Sequence, residues 1–300
     1  MPSPADAPHD DDVLVVVGDL LEDVVVWATE PIRAATDSAA RVFRARGGSA
    51  ANVAAHAAAR TPTRFIGRVG DDAAGRTLEA ALAGSGVDVR VQRAGRTGAV
   101  VLIVAPDGER TMFPDRAAAA GLEGVDPAWL DGAAWLHVPS YGFEHDPMRS
   151  EVRRLAARGR DLGARLSIDA SSTGLIDGLG VARVLAWYAQ LRPDVLLANE
   201  TEAELLGVAG GGPVAASVCR RLVVKHGPEP TEVFDDGALV ARVPVAPVVG
   251  VRDLTGAGDA FAAGYLAAAI GGADAAAACL AGHAAAASVI TSPGADVNTG

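Results

Sequence analysis

Hydrophobic and polar positions alternate between two rhythms along the chain. Short apolar runs mark candidate buried strands at Val13–Val17, Arg64–Val69, the WLHV segment from Trp135, Arg165–Asp169, Asp194–Ala198 and Arg221–Lys225. Ala- and Leu-rich stretches with helical spacing lie between and after them. These are VAAHAAAR after Asn52, Ala73–Ala83 capped by Asp71-Asp72, Met148–Asp161, Val181–Gln190, a helix opened by Asn199-Glu200-Thr201-Glu202, and two final helices at about Ala257–Ala269 and Ala273–Ile290. Strand–helix alternation of this kind predicts an α/β fold with a mostly parallel sheet between helix layers.

Four β-prone segments stand outside that rhythm: Val24–Thr29, Arg41–Ala45, Ala99–Ala105 and Arg110–Phe113. The last two flank Pro106-Asp107-Gly108, a hairpin signal. A small side sheet over the site, acting as a lid, is the expectation. Its aromatics Trp27, Phe43 and Phe113 serve packing or stack on a base or sugar ring. A second hairpin spans Glu232–Asp235 and Ala238–Val243 across Asp236-Gly237. The segment Gly207–Arg221 looks short for a helix plus its turns. No repeat or linker interrupts the pattern, so residues 13–300 are expected to form one domain. Residues 1–12, acidic and polar, are expected to be disordered.

Composition narrows the function. Half of the 300 residues are hydrophobic, enough for a large core. A net charge of −11 argues against a nucleic-acid partner. The N-terminus lacks the basic and apolar regions of a signal peptide, and no apolar run is a convincing membrane span. Cys219 and Cys279 are far apart and not in metal-like spacing, which fits a reducing cytoplasm.

Candidate chemistry gathers at Gly-rich turns. Val251–Ala269 contains Asp253, Thr255, then Gly256-Ala257-Gly258-Asp259 opening a helix. First-turn N–H groups lack intrahelical partners and attract an anion, and the glycines let backbone approach a phosphate. A carboxylate beside that hole suits phosphoryl transfer, taking a proton from an attacking hydroxyl. The same residues also read as an ordinary turn with a capping aspartate. A second turn, Gly47-Gly48 to Asn52, opens another helix, with Asn52 placed to bond a hydroxylated ligand. Gly18-Asp19, and then Asp23, follow the first strand, where α/β sheets bind ligands. Asn199 and Glu202, three apart, make an oxygen pair suited to Mg2+ directly or through water, or else a capping box. Lys225, before Gly227, is placed for a nucleotide phosphate or is simply solvated.

In their order, Gly47–Asn52, FIGRVGDDAAG from Phe65 to Gly75, Asn199–Glu202 and Asp253–Asp259 make the chain resemble the PfkB family of carbohydrate and nucleoside kinases. The resemblance implies a three-layer αβα sandwich with a β-sheet lid, and transfer of the ATP γ-phosphoryl group to an alcohol. It implies Asp259 as catalytic base, Gly256, Ala257 and Gly258 as anion hole, and Asp23, Gly48 and Asn52 as substrate contacts. Asn199 and Glu202 match the Mg2+-phosphate motif, Lys225 and Gly227 the nucleotide loop, and His283 the helix bordering adenine. A K+ site would use Asp253 and Thr255, with carbonyls around Val289, Ser292 and Gly294. Leu254 replaces a frequent Thr, Ala117 replaces a frequent Gly in the lid region, and Pro230 replaces a frequent Gly after Lys225-His226-Gly227, so the nucleotide loop is expected to differ.

The expected activity is that of an ATP-dependent sugar kinase. A nucleoside acceptor is the alternative, and a catalytically inactive ligand-binding homologue stands behind both. A sugar phosphate is disfavoured because no cation is evident beside Asn52, although Arg116 could serve. The exposed side sheet suggests a homodimer.

Overall fold

The computed structural model describes residues 12–291. The expected disorder over residues 1–12 falls outside them except for Asp12, as do Ser292 and Gly294 of the suggested K+ site.

Seven parallel strands form the centre: β1 (Val13–Val17), β4 (Thr63–Val69), β5 (Asp88–Arg93), β8 (Ala133–Pro139), β9 (Arg165–Asp169), β10 (Val195–Asn199) and β11 (Arg221–His226). The antiparallel strands β12 (Glu229–Asp235) and β13 (Ala238–Val243) extend one edge, giving the order β13-β12-β11-β10-β9-β8-β1-β4-β5. Period-two alternation sends Val15 and Val17 to one face and Leu14 and Val16 to the other. Helices α3 (Met148–Asp161), α5 (Val181–Leu191) and α7 (Gly212–Val218) pack on the first face. Helices α1 (Ser49–Ala58), α2 (Ala73–Gly84), α8 (Ala257–Ile270) and α9 (Ala275–Ile290) pack on the second. This is the expected αβα sandwich.

The four segments outside the rhythm do make a separate sheet. Strands β2 (Leu21–Ala28), β3 (Ala40–Gly47), β6 (Ala99–Val104) and β7 (Arg110–Asp115) run in the order β3-β2-β6-β7. Three elements come from outside the sequence reading. Strand β5, with the sequence DVRVQR, is a polar edge strand paired only to β4. Helix α4 (Thr173–Leu179) precedes α5, and α7 fits within the segment that looked too short, with Pro213 in its first turn.

Helix α8 is apolar on all sides, as its burial demands, whereas α9, though nearly as apolar, buries only the face of Ala278, Cys279, Gly282 and Ala285 and leaves Leu280 half exposed. Ala260 through Leu266 of α8 are all buried. The helices approach closely: a Cβ added at Gly264 would meet the Ala281 carbonyl oxygen at 2.5 Å. No helix among the described residues is long and apolar enough to cross a membrane.

The GDDAAG segment has a local role that ties the two sheets together. Asp72 caps α2 by accepting from the Gly75 amide at 2.8 Å. It also accepts from the Thr97 amide at 2.8 Å and the Thr97 hydroxyl at 2.5 Å, where the chain leaves for β6. The Thr97 and Gly75 bonds hold its carboxyl down at about 2. Its stabilising effect is therefore complete above the usual carboxylate value and disappears as pH falls through the folded value. Asp72→Ala is expected to lower unfolding free energy at pH 7 by about 1–2 kcal/mol in urea melts, with the gap closing toward pH 2. Identical midpoints at pH 7 would show that the tie carries no stability.

Candidate active site

Parallel strands place their carboxyl ends on one rim, and the order reverses at β1, which lies between β8 and β4. Asp19 follows β1, Tyr141 follows β8, and Asp169, Asn199 and Lys225 end or nearly end β9, β10 and β11. The N-termini of α1 and α8 meet over this rim.

Asp259 sits in the first turn of α8 and is bonded to the first turn of α1. Its Oδ1 accepts from Ser49 Oγ at 2.6 Å and its Oδ2 from Asn52 Nδ2 at 3.0 Å. Burial pushes its carboxyl up to about 6, against the pull of those two bonds and of Lys225, while Asp169 adds to the rise. Gly256 caps the helix at φ +78°, a left-handed conformation that favours glycine. The Ala257 amide donates back to Leu254 O at 3.2 Å, so it is already engaged. The amides of Gly258 and Asp259 follow it in the first turn, where N–H groups lack intrahelical acceptors. A Cβ at Gly258 would lie 3.6 Å from Lys225 Nζ, so a fixed ammonium stands beside the helix start.

Lys225 is accordingly not a solvated strand end. Its Nζ pairs with Asp169 Oδ2 at 3.1 Å. Burial works against the ammonium, but Asp169, Glu202 and Asp259 outweigh it and hold its proton above the usual lysine range. Asp169 escaped the sequence reading, because a single acid at the end of a strand carries no spacing signal.

Substrate candidates cluster on the other side. Helix α1 begins at Ser49, so Asn52 lies within its first turn rather than before it. Gly48 is the N-cap at φ +97°. Asp23 lies on β2 with its carboxylate against Gly47: a Cβ there would fall 2.0 Å from Asp23 Oδ1. Burial pushes Asp23 up to about 6, with Arg46 opposing the rise. Contrary to expectation, a cation does stand beside Asn52: Arg46 Nη1 donates to Asn52 Oδ1 at 3.0 Å. Residue direction on a strand emerges only with register, which is why Arg46 was missed. Arg116, the substitute named for that role, is committed elsewhere. It pairs with the buried Asp19 and with Glu144 at 2.6 Å, and its guanidinium lies 4.4 Å from the Tyr141 ring centroid.

Asn199 and Glu202 form a complete capping box: Asn199 Oδ1 accepts from the Glu202 amide and Glu202 Oε2 from the Asn199 amide, both at 2.9 Å. Here the bland reading is realised in geometry. Burial, with Asp169 nearby, raises the Glu202 carboxyl above its ordinary value. No group of three or more His, Cys, Asp or Glu among the described residues is arranged to hold a metal outright. Two carboxylates, Asp169 and Glu202, flank one ammonium, which suits Mg2+ arriving on phosphate oxygens and keeping its waters.

The suggested K+ position differs from expectation. Asp253 Oδ1 accepts from the Thr255 amide at 2.9 Å and hydroxyl at 2.8 Å. Arg110, from β7, donates to Asp253 at 3.1 Å and to Thr255 at 2.7 Å. A guanidinium thus occupies Asp253 Oδ1 and the Thr255 hydroxyl, two of the oxygens suggested for a monovalent ion. On the nucleotide side, Gly227, at φ +61°, lies in the tight turn between β11 and β12, and Pro230 is accommodated within β12. His283, on α9, bonds Thr231 Oγ1 at 2.8 Å and packs on Phe261, with ring centroids 5.5 Å apart.

Comparison with known proteins places the chain and its fold. A family model described as pfkB family carbohydrate kinase matches residues 11–299. A fructokinase from Klebsiella pneumoniae is 33% identical over 253 residues, covering 77% of this chain and 79% of its own length. The crystal structure of adenosine kinase from Sinorhizobium meliloti superposes with a TM-score of 0.82 at 23% identity, covering 95% of each chain. A structure from E. coli in complex with ATP and Mg2+ has a TM-score of 0.78 at 22% identity, covering 94% of this chain and 93% of its own. The chain belongs to the pfkB family of carbohydrate kinases.

Proposed function

We propose that this kinase transfers the γ-phosphoryl group of ATP to a hydroxyl of a small sugar, with Asp259 as general base. One observation carries the reading: a half-buried carboxylate stands at a helix N-terminus, within reach of hydroxyl and amide donors and beside a fixed ammonium. Asp23 and Asn52 orient the acceptor, and Asp259 takes the proton of its reacting hydroxyl. The Gly258 amide region and Lys225 meet the negative charge of the transferring group. The Ala257 amide, turned toward Leu254, would have to be released to join them. Mg2+, carried with the nucleotide near Asp169, Asn199 and Glu202, would neutralise phosphate charge. Gly227 and His283 border the nucleotide in this reading. K+ at this position would compete with Arg110 for Asp253 Oδ1 and Thr255 Oγ1.

A nucleoside acceptor is the second reading. By register, Trp27 lies on the face of β2 that carries Asp23, and Phe43 pairs with Val25 on that face. Both rings are therefore placed to stack over an acceptor held by Asp23. The side sheet also favours a homodimer. Trp27 and Met112 are about half exposed on one face by register, and Val42 and Phe113 on the other. One face can serve the site and the other a partner copy. Both cysteines are buried and unbridged, in keeping with a cytoplasmic protein.

ADP release over a panel of pentoses, hexoses, sugar acids and nucleosides, with and without K+, tests the reading. At least one sugar is expected to raise release above the acceptor-free rate, and Asp259→Asn is expected to lose about 10³-fold or more of it while staying folded. Binding of acceptors with no release would place the chain among inactive homologues. Near-normal turnover in the Asn variant would remove Asp259 from its role. Because Asp259 and Asp23 both sit near 6, kcat/KM for the acceptor is expected to fall below about pH 6 on the acid side. A rate still flat at pH 4.5 would contradict the assignment. In light scattering, a dimer mass that becomes monomeric in Phe113→Arg is expected; a wild-type monomer would sink the partner-copy reading.

A further inference from the structure

Arg46 has no part in the reading above, yet it is bonded into the site. It lies at the end of β3, next to Gly47, and its Nη1 donates to Asn52 Oδ1 at 3.0 Å. Asn52 Nδ2 then donates to Asp259 Oδ2 at 3.0 Å. A guanidinium can only donate and a carboxylate only accept, so a single orientation of the Asn52 amide satisfies both ends. Two consecutive hydrogen bonds thus run from a strand of the side sheet to the carboxylate. Ser49, from the same turn of α1, takes the other oxygen at 2.6 Å.

We propose that Arg46 is a positioning residue for the base: it locks the Asn52 amide and, through it, the carboxylate plane of Asp259. The proposal rests on Asp259 being the base. Loss of the guanidinium leaves Asn52 Oδ1 without that donor, and the amide can rotate away from Asp259. It also removes a positive charge from between two carboxylates, Asp23 and Asp259.

The groups facing this pair come from every element around it. Strand β2 presents Asp23, and helix α1 presents Ser49, Asn52 and His56. Strand β9 presents Asp169, strand β11 presents Lys225, and the turn after β8 presents Tyr141. His56 is buried near Arg46 and Arg60, which holds it below the usual histidine value and hence neutral. Lys225 is already paired with Asp169 on the far side. Arg46 is the cation bonded to a group that itself bonds Asp259. Burial lowers the proton affinity of the Arg46 guanidinium, with Asp23 and Asp259 opposing, so it keeps its charge in place.

Without Arg46, the carboxyl of Asp259 should hold its proton to higher pH. Two measurements on the full-length protein test this. One is kcat against pH, at saturating ATP and acceptor, for wild type, Arg46→Met and Arg46→Lys. The other is titration of the Asp259 carboxyl by 13C NMR without ligands, its signal assigned by loss in Asp259→Asn. Arg46→Met is expected to titrate about one pH unit higher, with kcat about fivefold or more down at pH 6 and a smaller loss persisting at pH 8.5, where the carboxylate is ionised but no longer held in plane. Arg46→Lys, which keeps the charge, should recover at least half of the shift. Arg46→Gln carries the same expectation as the Met variant should the latter not fold. A carboxyl titration equal to wild type in folded variants overturns the proposal. So does a rise in acceptor KM with an unmoved kcat profile, which would make Arg46 a substrate ligand. A shifted carboxyl titration with unshifted turnover would instead show that Asp259 is not the base, and the catalytic role of Arg46 falls with it.

Discussion

A carboxylate kept largely out of water, yet chargeable, where two helices meet is the constraint behind the rest of the architecture. Burying a charge costs heavily unless hydrogen bonds and opposite charges replace water. Here the replacement comes from α1, through Ser49 and Asn52, and from Lys225 at the end of β11. Each donor demands backbone geometry of its own. The Gly47–Gly48 turn brings α1 in against Asp19 and Asp23, and the left-handed Gly256 aims α8 back at it. Small residues on the inner face of α1, among them Ala50, Ala51, Ala54 and Ala57, let the two helices approach.

Charge is balanced in the same economical way along the strand ends. Asp169 and Glu202 keep Lys225 ionised despite its burial, and Lys225 in turn restrains the rise of Asp259. The capping box of Asn199 and Glu202 is not a rival to a role near phosphate. It fixes the start of α6 (Glu200–Leu205) and thereby the place of a buried carboxylate. A structural motif and a chemical one can share the same atoms, which is why local sequence cannot separate them.

Elements with a strong local signature were legible in the chain itself. Strand β9 and helix α3 end where the apolar pattern ends, and the Gly-rich turns announced Asp259 and Asn52. Strand β5 was not legible, because Asp88, Arg90 and Arg93 give it the polarity of a loop and only its pairing with β4 makes it a strand. Helices α4 and α7, each seven residues long, are too short to show a helical period. Within the site, Asp169 and Arg46 stayed hidden for the same reason: each acquires meaning from what the fold sets beside it. The inference that no cation stood near Asn52 failed there, since it looked along the helix and the cation came from the preceding strand.

Helix α8 has no solvent-facing side over most of its length, and its Gly264 touches the backbone of α9. The helix that carries Asp259 is thus positioned at Gly264 by main chain against main chain, with alanine spacers too short to take up slack. Such a helix has little room to drift and little room to be adjusted. Tolerance of sequence change should consequently be divided unevenly across the molecule: the side sheet is free to vary with the acceptor, whereas the positions where α8 and α9 touch, Gly264 and Gly282, are confined to the smallest residues, whatever sugar is bound.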